Sequence, residues 1–197
     1  MNRAALITEM QRSRLVAVVR SKTPEDALAL AQAAIDGGVK FVEITFSVPG
    51  APHVIKNLSG HPDAHVGAGT VLSKKQAEAT IGAGAKFIVS PTLELDLIPM
   101  CHEANIACFP GAATPTEILT AARAGAELVK IFPADLVGGV DFIRQMVWAV
   151  PRGSLHGVRR SQSEQRQRLC SSGGDRYLPG ERVPGQLSGA ARSRTIH

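Results

Sequence analysis

The sequence predicts a parallel α/β fold. Short apolar runs alternate six times with helix-forming stretches before residue 147. Such unbroken apolar runs suit strands buried on both faces, and alternation with helices implies successive βα units. An internal repeat sharpens the class: G-V-K-F-V-E-I-T from Gly38, G-A-K-F-I-V-S-P from Gly84 and G-A-E-L-V-K-I-F from Gly125. These are strands two, four and six, and in a (β/α)8 barrel the even strands supply side chains to one interior layer. The repeat therefore favours a barrel over a doubly wound sheet.

The elements follow in order. Residues 15–20 form an apolar run ending in Arg20. Thr23-Pro24-Glu25-Asp26 then gives a helix N-cap, a proline in the first turn and two acids, and the helix stops at Gly37-Gly38. Strand two covers 39–46, followed by a helix over 51–58. Strand three covers 65–69, with Thr70 at its end, and Ser73-Lys74-Lys75-Gln76 opens the next helix with capping-box spacing. Strand four (87–91), a helix (93–104) and strand five (106–109) precede Thr114-Pro115-Thr116-Glu117, which repeats the N-cap signature. Strand six covers 127–133, and a sixth helix runs from 138 to about 146.

The 197 residues are 44% hydrophobic and 20% charged, which suits one globular domain. Aromatics make up 4%, too few for a platform of stacked bases. No apolar run approaches the roughly 20 residues that span a membrane. Glu9, Arg12 and Arg14 interrupt any signal-peptide core. Cys101, Cys108 and Cys170 show no metal-ligand spacing, the pattern of free thiols in a reducing cytoplasm. Residues 1–150 carry 13 Lys/Arg against 14 Asp/Glu, whereas 151–197 carry nine Arg and three acids. The net charge of +5 thus belongs to the C-terminal segment.

Strand six holds the chemistry. Glu127-Leu128-Val129-Lys130-Ile131-Phe132-Pro133 puts a lysine inside an apolar run. Burying an unpaired ammonium costs several kcal/mol, so the lysine either reaches solvent or loses its proton and becomes a nucleophilic amine. Aligned on the repeat's glycine, Glu43, Val89 and Lys130 are equivalent, and period-2 alternation puts Phe41, Glu43 and Thr45 on one face with Leu128, Lys130 and Phe132 on its counterpart. Glu43 and Lys130 would then be neighbours near the C-terminal mouth. A lysine there can form a Schiff base with a ketone while the carboxylate moves protons, or the two can form a structural ion pair. Arg20 suits a substrate carboxylate or is an exposed strand-end charge. Thr70 adds a hydroxyl donor or caps a loop.

Other candidates are weaker. Gly67-Ala68-Gly69-Thr70 is not G-x-G-x-x-G. His61 and His65 are separated by Pro62-Asp63, which breaks the helix a shared metal would need. Cys101-His102 has no third partner, and no His/carboxylate cluster predicts a metal site.

Taken together the chain resembles the 2-keto-3-deoxy-6-phosphogluconate (KDPG) and 4-hydroxy-2-oxoglutarate aldolase family. The matching segments are Val42-Glu43-Ile44-Thr45, Gly67-Ala68-Gly69-Thr70-Val71, Ile88-Val89-Ser90-Pro91, Pro110-Gly111 with Thr114-Pro115-Thr116-Glu117, and Lys130-Ile131-Phe132-Pro133-Ala134. They keep order and spacing across residues 10–146. The resemblance implies a class I aldolase of TIM-barrel type that yields pyruvate and glyceraldehyde 3-phosphate from KDPG, or pyruvate and glyoxylate from 4-hydroxy-2-oxoglutarate. It implies Lys130 as Schiff-base lysine, Glu43 as general acid/base, and Arg20, Thr70, Pro91 and Phe132 as substrate-binding residues. It implies no cofactor and no metal, a homotrimer in the cytoplasm, a small 2-keto acid as partner, and neither nucleic acid nor membrane. The galactonate epimer of the substrate is the nearest alternative.

Two departures stand out. Ser47 occupies a position where some members carry a substrate-holding arginine. From about Val147 the pattern stops: the seventh strand, the Thr-Gly-Gly phosphate loop, the eighth strand and the Gly-Ser do not follow. Residues 151–197 hold seven Gly, seven Ser and nine Arg without periodicity. The sequence therefore reads as a partial barrel of about six βα units over 1–147 and a basic, low-order tail over 148–197. A shifted reading frame produces such a break, and resequencing the coding DNA tests it. A second functional reading is an inactive truncated barrel whose tail touches acidic surfaces through charge alone.

Overall fold

The structure is a computed structural model and describes residues 2–149. It contains α1 (Arg3–Ser13), β1 (Ala17–Val19), α2 (Pro24–Asp36), β2 (Phe41–Thr45), α3 (Ala51–Leu58), β3 (His65–Gly69), α4 (Lys74–Gly82), β4 (Phe87–Val89), α5 (Leu97–Glu103), β5 (Ala107–Phe109), β6 (Gly111–Ala112), α6 (Pro115–Arg123), β7 (Lys130–Ile131) and α7 (Gly139–Ala149). The strands β1-β2-β3-β4-β5 form one parallel sheet in chain order, and β6 pairs in parallel with β7. Sequential parallel strands joined by helices are the arrangement of an α/β barrel, here incomplete among the described residues. The expected boundary at residue 147 falls within α7; residues 150–197, most of the expected tail, lie outside the described residues.

Most predicted elements appear with shorter strands. Strand five and its extension are interrupted at Pro110, which has no N–H to give to a ladder. The segment before it pairs with β4 and the segment after it with β7. Pro110 still accepts the Lys130 N–H at 2.9 Å, and Ala112 accepts the Phe132 N–H at 3.0 Å. The predicted strand over 127–133 contracts to Lys130 and Ile131, and before it the Glu127 carboxylate accepts the Cys108 N–H at 3.1 Å. The helix predicted over 93–104 begins only at Leu97.

The repeat's glycines have a common reason. Gly38, Gly84 and Gly125 each turn the chain from a helix toward the next strand (β2, β4 and β7) at φ 86°, 90° and 93°. That left-handed conformation strains any side chain but glycine's. Thr23, Ser73 and Thr114 cap their helices by accepting N–H bonds from Asp26, Gln76 and Glu117.

Strand parity divides the apolar residues into two clusters. Val19, Val42, Ile44, Val66, Ala68, Ile88, Cys108, Val129 and Ile131 face the helices. Phe41, Phe87, Val89, Ala107 and Phe109 face the interior, with Val16 and Leu128 packed against them.

Helix α1, which the sequence reading did not assign, belongs to the interior cluster. Its Leu6 and Met10 lie against Phe41, Phe87 and Ala107, residues at the strands' N-terminal ends. Glu9 holds it there through Lys40 Nζ (3.1 Å) and His65 Nε2 (3.0 Å), and Arg3 through Glu127 (2.7 Å). The helix thus plugs the N-terminal end of the half-barrel and leaves the C-terminal end for chemistry.

Candidate active site

Each candidate site residue lies in or just beyond a strand, with Arg20, Thr70, Pro91 and Phe132 past the strands' C-terminal ends. Arg20 follows β1, Glu43 lies within β2, Thr70 follows β3, Pro91 follows β4, and Lys130 and Phe132 lie in and after β7. This is the face on which barrel enzymes build their sites.

The direction of Lys130 follows from its neighbours. Leu128 packs on the interior cluster, whereas Val129 and Ile131 face the helices. Alternation then turns Lys130 inward. It is half-buried, and its Nζ lies 5.1 Å from the centroid of the Phe132 ring. The ring's negative face attracts the ammonium, so Phe132 fixes where the amine sits.

Glu43 is fully buried. It shares its inward face with Phe41, and the register pairs it with Val18 on one side and Gly67 on the other. Strand parity thus puts the carboxylate on the inward face of β2 and the lysine on the inward face of β7. Two further observations concern the neighbouring strand β3. At Gly67 a side chain would run into the Phe87 ring, with a Cβ 2.5 Å from it. At Gly69 it would run into the Glu43 carboxyl group, 2.5 Å from Cδ.

Arg20 carries the inward parity of Val16 but is exposed, and it forms no hydrogen bond or ion pair among the described residues. Its position is set by Thr45, which the sequence put on the inward face without a role. The buried Thr45 hydroxyl donates to the Val19 carbonyl at 3.1 Å and shares a bond with Ser47 Oγ at 2.6 Å. Alternation gave Thr45's direction, but its link to β1 needs the paired strands.

Thr70 is half-buried with φ 58°, a left-handed conformation that is an outlier for a β-branched residue. Pro91 is shaped by Ser90, whose hydroxyl accepts the Thr92 N–H at 3.2 Å. Gly111 lets the chain pass Pro91: a Cβ there would collide with the Pro91 carbonyl and stand 2.8 Å from Thr92 N.

Among the described residues the cysteines offer no competing nucleophile. Cys101 and Cys108 are buried. A hydrogen bond with the Cys101 thiol, then burial, push the Cys108 thiol well above the usual range. His61 is paired with its own loop, accepting the Asp63 N–H at 3.2 Å, while His65 is committed to Glu9.

An inward lysine beside an aromatic ring, a buried inward carboxylate and an exposed cation after β1 suit capture of a keto acid. Residues 6–154 match the family model described as KDPG and KHG aldolase. A 2-dehydro-3-deoxy-phosphogluconate aldolase of Treponema pallidum is 33% identical over 181 residues, 88% of this chain and 86% of the relative. A 2-dehydro-3-deoxy-6-phosphogalactonate aldolase of Escherichia coli is 38% identical over 129 residues, 63% of this chain and 62% of the relative. Among solved structures, the KDPG aldolase of Legionella pneumophila, with pyruvate captured as a covalent carbinolamine, has a TM-score of 0.71 at 27% identity. It covers 86% of this chain and 82% of that one. A cube-shaped cage designed by fusing symmetric oligomeric domains has a TM-score of 0.64 at 35% identity, covering 69% of this chain and 51% of that one.

Proposed function

The chain belongs to the KDPG and KHG aldolase family, and on that premise we propose that it cleaves KDPG through a Schiff base on Lys130. Family membership makes the reaction class that of an aldolase, a carbon–carbon lyase. The single observation that carries the assignment is the inward turn of Lys130 beside the Phe132 ring, with the buried Glu43 also inward by strand parity.

The steps follow from these groups. The uncharged Lys130 amine attacks the C2 carbonyl, and loss of water leaves an iminium. Glu43 takes the proton of the C4 hydroxyl. The C3–C4 bond breaks, its electron pair flows to the iminium to give an enamine, and glyceraldehyde 3-phosphate departs. Glu43 returns the proton to C3, and water hydrolyses the new iminium to pyruvate and free amine. Arg20 binds the substrate carboxylate by paired N–H donors, the Thr70 hydroxyl adds a further donor, and Pro91 and Phe132 wall the pocket. Cleavage of 4-hydroxy-2-oxoglutarate to pyruvate and glyoxylate takes the same steps. The galactonate epimer is the second substrate reading, favoured by the 38% identity to the E. coli phosphogalactonate enzyme.

Incubation with pyruvate and borohydride tests the mechanism. The wild type is expected to gain the mass of a reduced pyruvate adduct on Lys130, and Lys130→Ala to gain none. Folded wild-type protein that stays unlabelled would overturn the aldolase reading in favour of the inactive barrel. Parallel turnover of the two epimers ranks the substrates.

Homotrimeric assembly in the cytoplasm completes the proposal. Support comes from the family and from the use of a relative in a cage of symmetric oligomeric domains. The buried free thiols of Cys101 and Cys108 suit a reducing compartment. Light scattering is expected to give three times the chain mass; a monomer at micromolar concentration overturns the trimer.

A further inference from the structure

We propose that Gly69 is a positioning residue for the reaction: the side chain it lacks is the space in which the Glu43 carboxylate is seated. The inference deepens the proposed function and rests on its reading of Glu43 as the proton carrier.

Strand β3 reads His65-Val66-Gly67-Ala68-Gly69. Val66 and Ala68 face the helices, so Gly67 and Gly69 face the interior. Beyond its first residue, β3 therefore presents no side chain to the barrel's inner layers. The two vacated volumes are filled from the adjoining strands. A Cβ at Gly67 would stand 2.5 Å from two ring carbons of Phe87 on β4. At Gly69 a Cβ would overlap Glu43 Oε1 and stand 2.5 Å from Cδ and 2.6 Å from Cγ on β2. Real Cβ contacts essentially never come so close, so a methyl group at 69 and the carboxylate of Glu43 compete for one volume.

Backbone freedom does not account for this glycine. Gly69 is not among the positive-φ residues; it sits in ordinary extended strand, its carbonyl accepting the Phe46 N–H at 2.9 Å. What distinguishes it is the neighbour. Glu43 is fully buried, so a displaced carboxylate cannot move out to water and must take another rotamer within a packed interior. A proton carrier shifted by about 1 Å loses the geometry on which its contribution depends. Lys130 sits on β7, and the nearest atoms a Cβ at 69 would meet all belong to Glu43, so the lysine is not the group that a methyl there displaces first.

The test uses the full chain and four variants: Gly69→Ala, Glu43→Gln, Glu43→Ala and the double variant Gly69→Ala/Glu43→Ala. Two readouts separate the steps. Borohydride trapping of pyruvate reports the imine on Lys130. Deuterium exchange into the pyruvate methyl, followed by NMR, reports proton transfer at C3. Gly69→Ala is expected to keep trapping within about threefold of wild type and to lose exchange by about 100-fold or more, the scale of a general acid–base contribution. Exchange in Gly69→Ala within threefold of wild type overturns the proposal. Glu43→Gln is the control on the underlying reading: wild-type exchange there overturns Glu43 as proton carrier and leaves the seat to the stability cycle. In that cycle Gly69→Ala is expected to lower the melting temperature when Glu43 is present and to leave it nearly unchanged in the Glu43→Ala background. An equal drop in both backgrounds overturns the seat. Where Gly69→Ala alone fails to fold, a soluble double variant supports the seat and an insoluble one overturns it.

Discussion

Thr70 holds a conformation that costs a side-chain-bearing residue roughly 1–2 kcal/mol, and it does so at the end of a strand that opens on the candidate site. Replacing it with glycine relieves the strain and removes the hydroxyl. Thr70→Gly is expected to hold or raise stability in urea while weakening pyruvate capture, measured as the pyruvate concentration at half-maximal borohydride labelling. A loss of stability would show that the hydroxyl serves as a loop cap. Glu43 is a more demanding position, because its carboxylate is fully buried. Glu43→Gln keeps the shape and removes the proton carrier, so kcat is expected to fall about 10²–10⁴-fold with trapping on Lys130 preserved.

At the level of elements, two helices depend on hydrogen-bonded acids, one with local partners and one with distant ones. In α6 the Glu117 carboxylate accepts from the Ala113 N–H, the Thr114 N–H and the Thr114 hydroxyl at 2.9–3.0 Å, while Thr114 accepts the Glu117 N–H. The Ala113 N–H first, then the Thr114 hydroxyl and N–H, hold the Glu117 carboxyl below its usual value. Thr114→Ala is expected to cost about 1 kcal/mol in denaturant titration. In α1 the His65 hydrogen bond first, then Lys40, hold the Glu9 carboxyl below its usual 4.5. Stability from a depressed acid is fully present above the unfolded pKa and is lost as pH falls through the folded one. Glu9→Gln is therefore expected to lower the melting temperature at pH 6–7 and to converge with wild type below pH 4.5. Met10→Ala removes a buried plug residue and is expected to cost about 2–3 kcal/mol at any pH where the protein folds.

Over the described residues, the half-barrel leaves the end that carries Arg20, Thr70 and Pro91 open and closes the other with α1. The phosphate end of the reaction has no counterpart in the sequence, since no Thr-Gly-Gly loop follows α7. Substrate recognition is then expected to rest on the pyruvate moiety. The kcat/KM values for KDPG and for its unphosphorylated analogue should lie within about tenfold of each other, a difference of about 1.4 kcal/mol. A preference for the phosphorylated substrate above 1,000-fold would show a phosphate site built from other residues.

The sequence by itself determined the order of strands and helices, the helix caps and the inward parity of Glu43 and Lys130. Each of these is local: a cap acts within four residues, a left-handed glycine within one, and strand alternation has a fixed period of two. Strand lengths were less legible, because a strand extends only as far as its partner offers bonds, and Pro110 and Glu127 redirect theirs. Helix α1 has a local cap in Asn2, but its apolar residues Leu6 and Met10 gain meaning only when the strand ends they cover are assembled. Gly69 is the same case at the site. In the sequence it is one of two glycines near the end of a strand. Only tertiary structure decided that the carboxylate of a residue 26 positions earlier fills its empty place, because close packing leaves one volume for two candidate groups.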